Sequence, residues 1–141
     1  MSQATITATK IPQRSRMMFM PKAFSRFYLR AESYIYSWTR HCSENYQGGL
    51  WDYYQTGNGA YFVTPPEDLR LTLPNYAGGK FSRQQAGIIV SLATYSHLAA
   101  VAYENGNETL QECIVSQYWL LRDFMDSLDP DVRYPILKAI D

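Results

Sequence analysis

An excess of charge is the first thing this sequence lacks. Its 141 residues carry 13 lysines and arginines against 13 aspartates and glutamates. A balanced chain cannot coat itself in phosphate-like negative charge, which excludes a DNA mimic. Nor is it a bulk polycation that grips nucleic acid everywhere. Cysteine is scarce: Cys42 and Cys113 are too few for a disulfide scaffold in a chain of this size, so reduced, half-buried thiols are expected. No apolar run reaches the roughly 18 residues needed to span a bilayer. The opening MSQATITATK is polar and has no apolar core of a secretory signal. A cytoplasmic protein without a membrane partner is expected.

The usual constellations of catalysis are also missing. There is no CxxC, HxxxH or HExxH spacing, so no metal site is expected. His41 and Cys42 are sequence neighbours, which on a helix point about 100° apart and form no dyad. His97 lies in a very apolar stretch, where a hydrogen-bonded core histidine is the expectation. Glu67-Asp68 follows two prolines and reads as a solvated turn. Asp52, between aromatics, is the more interesting carboxylate, but one acid does not make a glycosidase. The glycines fit neither GxGxxG nor a P-loop. No catalytic residue, cofactor or enzymatic activity is expected.

Aromatic residues are plentiful, led by 12 tyrosines. Tyrosine packs its ring while keeping its hydroxyl paired or wet, so it suits half-buried surfaces and interfaces. The densest stretch runs from Glu44 to Pro65, ENYQGGLWDYYQTGNGAYFVTP, and contains no lysine or arginine. Charge is unevenly spread. Residues 1–31 hold Lys10, Arg14, Arg16, Lys22, Arg26 and Arg30 with no acid, whereas residues 104–141 hold eight acids against Arg122, Arg133 and Lys138.

The elements follow from periodicity and punctuation. Residues 1–15 read as a flexible arm and 16–141 as one domain. Met17 to Met20 is apolar and should dock. Pro21 fits a first helical position, and Phe24, Phe27, Tyr28, Ala31, Ile35 and Trp38 recur at helical spacing to about Cys42. LWDYYQT and AYFVT read as strands joined by Gly57-Asn58-Gly59, with Asn-Gly suggesting a type I′ turn. LRLTL alternates strictly and predicts a third strand with Leu69, Leu71 and Leu73 on one face. Pro74 and Ala77-Gly78-Gly79 read as loop. Ser82 and Gln85 form a capping box for a buried helix over about 83–103, too short and too interrupted to cross a membrane. Asn107 caps the next helix, with a stripe of Leu110, Cys113, Ile114, Leu121, Phe124 and Leu128. Asp129-Pro130 starts a last helical segment, kinked or delayed by Pro135. The expected class is α+β: a small three-stranded antiparallel sheet (about 49–56, 60–64, 69–73) with about four helices packed on it.

Two surfaces are candidates for contact. On one helix, Lys22, Arg26 and Arg30 are spaced i, i+4, i+8 and would form a basic ridge for nucleic acid, or a solvated face that pairs with the acidic C-terminal third. Trp51 and Tyr53 share one strand face. Helices normally cover one face of such a sheet. The other would then expose aromatics, making Trp51, Tyr53 and Tyr61 a candidate interaction surface, unless loops or the N-terminal arm cover it.

Taken together, Tyr46, Gly48-Gly49, Trp51, Asn58-Gly59, Tyr61-Phe62 and Pro65 resemble the ordered motif of the ArdB/KlcA family of antirestriction proteins. Ser82 with Ala86-Gly87-Ile88, Leu121-Arg122-Asp123 and Ile140-Asp141 continue the likeness, over roughly residues 15–141. The family turn has Asn-Gly-Gly, where this chain has Gly57-Asn58-Gly59-Ala60. The resemblance implies a small cytoplasmic α+β protein of plasmids, phages or genomic islands. It implies protection of incoming DNA from type I restriction enzymes, with methylation largely spared. The implied partner is the restriction complex or an accessory host protein, with DNA as the alternative through the basic helix. The family supplies no established catalytic residues.

Overall fold

In the computed structural model, which describes residues 5–74 and 78–140, strands and helices are segregated along the chain, as in an α+β protein. Strand β1 (Ala8–Lys10) precedes helices α1 (Arg16–Phe24) and α2 (Tyr28–Cys42), with 3-10 turns at Gln13–Ser15 and Ser25–Phe27. Strands β2 (Asp52–Thr56), β3 (Tyr61–Thr64), β4 (Leu69–Thr72) and β5 (Gly78–Phe81) follow. Helices α3 (Arg83–Glu104), α4 (Glu108–Asp126) and α5 (Pro130–Ile140) complete the chain.

The three-stranded antiparallel sheet is present, but its third strand is not the one expected. The order is β1-β2-β3, and Lys10 of the supposedly loose arm lies opposite Tyr54. β4 pairs instead with β5 in a separate ribbon, Leu69 opposite Phe81. Gly78 and Gly79, expected in a loop, are half of β5; Ala77 lies outside the described residues, as does Asp141 of the terminal Ile-Asp pair. Leu69, Leu71 and Leu73 are buried, as their alternation demands. Alternation states which face is buried and is silent about which strand lies alongside.

The β2–β3 hairpin also differs from the expectation. Asn58 does not have positive φ, and Gly59 does, at 91°. The Gly59 N–H donates to the Thr56 carbonyl at 3.1 Å, and the Thr56 N–H donates to the Ala60 carbonyl at 2.9 Å. This is a three-residue loop, a type I-like turn followed by a left-handed glycine, rather than a type I′ turn.

The first helix is divided. Pro21 sits inside α1 rather than at its start, and Ser25 takes a φ of 54° before α2 begins. Phe19 and Met20 dock into the core, while Met17 and Met18 remain exposed. α5, by contrast, runs through Pro135 without a delayed start.

α3 organises the core. Its capping box is complete, the Gln85 N–H donating to Ser82 Oγ and the Ser82 N–H to Gln85 Oε1. It packs against α2, α4, α5 and β3. By length and composition it could cross a membrane, contrary to the expectation, but 67% of its most apolar stretch is buried inside the fold. That is the role of an all-round apolar helix in a core.

α3 and α4 also close the free edge of β3. Tyr95 Oη donates to the Tyr61 carbonyl at 2.7 Å, and the Val63 N–H donates to Ser91 Oγ at 3.1 Å. The Tyr61 N–H donates to Gln117 Oε1 at 3.2 Å. An open edge would leave buried backbone groups unpaired and invite intermolecular pairing. The approach is so close that a Cβ on Gly87 would lie 2.1 Å from the Val63 carbonyl oxygen. The alanine-glycine-isoleucine segment therefore has a packing reason for its glycine.

Candidate functional site

Successive residues of β2 point to opposite faces. Tyr53 stacks on Phe19 of α1, with ring centroids 4.5 Å apart. Trp51, just before the strand, packs on Tyr36 and Tyr46 and donates from Nε1 to Tyr46 Oη at 3.0 Å. Burial first, then Tyr53, Glu32 and Tyr46, pushes the Tyr36 phenol up to about 12. On the other face, Tyr54 stacks on Phe62, which stacks on Phe124 of α4. Helices therefore cover both faces.

Asp52 opens β2 and gathers three cations from distant parts of the chain. Arg16 Nη2 of α1 lies 2.8 Å from Oδ1, Lys10 Nζ of β1 lies 3.4 Å from Oδ1, and Arg83 Nη2 of α3 lies 2.7 Å from Oδ2. Burial works to raise the Asp52 carboxyl, but hydrogen bonds from Arg83 and Lys10 and their charges outweigh it and hold the group below its ordinary value. Arg83 is itself fixed: Nε donates to the Pro65 carbonyl at 2.8 Å, and its backbone N–H donates to Asp68 Oδ1 at 3.0 Å. Arg16 also lies over the Tyr53 ring, 5.2 Å from the centroid. One carboxylate thus ties the N-terminal strand, α1 and the start of α3 to the sheet, and three cations face it.

The residues singled out in the sequence are placed differently. Trp51 is 3% exposed, so it is core and presents no ring to a partner. Tyr53 and Tyr61 are half-buried, both against Phe19. The candidate aromatic surface is thus the covered face, its cover supplied by α1 and α2. Lys22, Arg26 and Arg30 are exposed, but they belong to α1, the 3-10 turn and α2 respectively. The break at Ser25 means that they do not form one helical ridge. His97 is half-buried rather than core and stacks on Tyr34 at 4.2 Å. Its imidazole is held below its ordinary pKa by desolvation and then by Arg30, with Glu104 opposing. His41 is exposed, Cys42 is buried with its thiol pushed up by burial, and Cys113 is exposed rather than half-buried. Among the described residues no cluster of three or more metal-ligating side chains occurs.

The sequence reading noticed Asp52 but missed Lys10, Arg16 and Arg83. One signal was available. An acid set among aromatics, in a segment without lysine or arginine, must find its cation elsewhere, and the acid-free first 31 residues carry six bases. Which bases reach it is decided by the fold.

Comparison with known proteins is consistent across sequence and structure. The family model described as "Antirestriction protein" matches residues 44–141. The antirestriction protein KlcA of Escherichia coli is 30% identical over 123 residues, covering 84% of each chain. The uncharacterized protein YafX of Escherichia coli K12 is 31% identical over 143 residues, covering 96% of this chain and 88% of YafX. A solved structure from work on KlcA and ArdB superposes with a TM-score of 0.83 at 28% identity, covering 100% of both chains. Those two proteins are described as having a novel fold and antirestriction activity against Type I DNA restriction systems in vivo but not in vitro.

Proposed function

Because this chain belongs to the antirestriction protein family, we propose that it protects incoming DNA from cleavage by type I restriction–modification enzymes inside the cell, leaving their methylation largely alone. The observation that carries this is the match to the KlcA/ArdB fold over the whole of both chains. Charge supports a mechanism other than DNA mimicry: 13 acids are balanced by 13 bases, and the central carboxylate is enclosed by three cations. Activity of KlcA and ArdB in vivo but not in vitro favours a target present only in the cell, such as an accessory host protein or an assembled restriction complex. An inhibitor that simply held the purified enzyme would act in vitro as well.

The test is plating of unmodified phage on cells with a type I system, with and without this protein, together with the methylation state of surviving DNA. Rescued plating with continued methylation is expected. Unchanged plating in cells that contain the folded protein overturns the proposal. A non-enzymatic role further expects His41→Ala and Cys42→Ala to protect like the parent; loss of protection in folded variants argues for catalysis.

DNA binding through Lys22, Arg26 and Arg30 is favoured by the exposure of all three. It expects affinity that falls steeply with salt. A gel shift absent at low salt, with protection unchanged in the triple charge-reversal variant, excludes it.

A further inference from the structure

Two solvent-facing helix surfaces carry opposite charge, and neither is answered within its own chain. The outer face of α2 and the turn before it presents Arg26, Leu29, Arg30, Ser33, Ser37 and Arg40, all exposed and spaced by three and four. The break at Ser25 separates Lys22 from this face but leaves Arg26 one turn before Arg30. Glu32, the one acid of α2, lies on its flank, beside Met20 and Tyr36.

The outer face of α4 presents Glu108, Glu112, Ser116, Trp119, Asp123 and Asp126, all exposed and at similar spacing. Trp119, near its centre, is 56% exposed. Arg122, the one base of α4, is drawn to the flank, over the Tyr118 and Trp119 rings, and donates to Tyr118 Oη. Arg133 bonds the Asp126 carbonyl rather than its carboxylate.

α2 and α4 both pack on α3, and α4 also meets the turn at Ser25–Phe27. The two faces are thus neighbours, yet every ion pair among the described residues ends on Asp52. Solvated helix surface usually mixes both signs. These faces instead set like charges one turn apart: Arg26 before Arg30, Glu108 before Glu112, Asp123 before Asp126. Each such pair weakens its own helix. Two of the three also oppose the helix dipole. Arg30 lies in a first turn that holds no acid, and Asp123 and Asp126 lie in a last turn that holds no base. This pattern costs stability in a lone chain and is relieved by a partner of the opposite pattern.

The chain itself has that opposite pattern. We propose that α2 of one copy docks antiparallel on α4 of a second copy. Arg26 and Arg40 are fourteen residues apart, as are Glu112 and Asp126, about 21 Å of helix in each case. Laid antiparallel, Arg26 and Arg30 meet Asp126 and Asp123, and Arg40 meets Glu112. Trp119 then falls opposite Ser33, so a large ring meets a small residue. A parallel alignment sets Arg30 against Ser116 and Asp123 against Ser37, and loses one of the three charge pairs. Each copy carries both halves of the contact, which closes as a reciprocal pair or grows as a chain. One helix pair is a small interface, so the association is weak and depends on concentration.

The test is sedimentation equilibrium of the full-length protein over a range of concentrations. At low salt the mass should exceed that of one chain, and high salt should return it toward one chain. The triple variant Arg26→Glu, Arg30→Glu, Arg40→Glu and the triple variant Glu112→Lys, Asp123→Lys, Asp126→Lys should each remain a single chain. Mixed together they should associate again, because each supplies the charge that the other has lost. Trp119→Ala should weaken self-association by about tenfold or more, as loss of a central interface aromatic does. Its melting temperature should stay near native because the ring is mostly exposed. Ser33→Tyr, which fills the seat of that ring, should weaken association likewise, and circular dichroism confirms folding throughout. A single-chain mass at every concentration in low salt overturns the proposal. So does unchanged association in the folded charge variants, or a mixture of the two that stays apart. If the arginine face binds a DNA duplex while the protein remains a single chain, it is a nucleic-acid surface and the proposal fails.

Discussion

Two sets of alternating residues within one short segment meet opposite environments. Trp51, buried, and Tyr53, half-buried, enter an aromatic layer under α1 and α2, where a ring stack and one indole hydrogen bond complete the packing. Asp52, between them, is met by Lys10, Arg16 and Arg83, with Arg16 also lying over the Tyr53 ring, while Tyr54 stacks on Phe62 on the other face. The pleat of a strand makes this division possible, since every second side chain crosses the sheet. The aromatic side holds the fold together. The charged cluster ties distant chain segments to the strand.

The sharpest way to break this contrast is on the aromatic side. Trp51→Ala should cost about 3–5 kcal/mol of stability, the range for deleting a large buried aromatic, and lower the melting temperature strongly. A near-native melting temperature would return Trp51 to the surface and undo the distinction. Gly87→Ala comes next. The added methyl would meet the Val63 carbonyl oxygen, so α3 must withdraw from β3 and strain the Ser91 and Tyr95 hydrogen bonds. About 3 kcal/mol is expected, the upper range for overpacking, read as a shift in the denaturation midpoint.

Asp52→Asn tests the charged side and should cost about 1–3 kcal/mol, between an exposed and a buried ion pair, because the side chain is 17% exposed. Its pH dependence is more telling. The folded carboxyl titrates below its ordinary value. Its stabilisation is thus fully present above the unfolded aspartate value, about pH 4, and is lost as pH falls through the lower folded value. Parent and variant should converge in stability as acid is added through that window. A constant gap down to low pH would show that the three cations do not act through the carboxylate.

The smallest effect belongs to His97. Its folded pKa is lowered, by desolvation first and Arg30 second, so the protonated form is disfavoured in the fold. Stability is fully present above the unfolded histidine value of 6.5 and declines as pH falls from there through the folded value. His97→Gln should remove that slope from denaturation midpoints measured between pH 7 and pH 5. A retained slope assigns it to another group.

Much of this fold was legible locally. The capping box at Ser82 and the Asn107 cap form as read, because a cap is an interaction among residues a few positions apart. Leu69, Leu71 and Leu73 share a buried face, and the α4 stripe buries Leu110, Ile114, Leu121 and Phe124. The misreadings concern distance. LRLTL was a strand with the wrong neighbour. The arm was a strand whose partner, β2, lies more than forty residues along the chain. The basic ridge required an unbroken helix, and one residue of positive φ at Ser25 divided it.

The sequence by itself determined which residues are apolar, where helices are capped and which strand faces seek burial, because these follow from side-chain chemistry and short spacings. It also determined that charge is balanced and that the first 31 residues hold bases without an acid. Only the tertiary structure decided that both sheet faces are covered, that β1 rather than β4 completes the sheet, and that Lys10, Arg16 and Arg83 meet at Asp52. The physical reason is that burial and ion pairing lower free energy for many alternative partners alike. The choice among them falls to the arrangement that satisfies packing, backbone hydrogen bonds and charge at once, and no local window contains that sum.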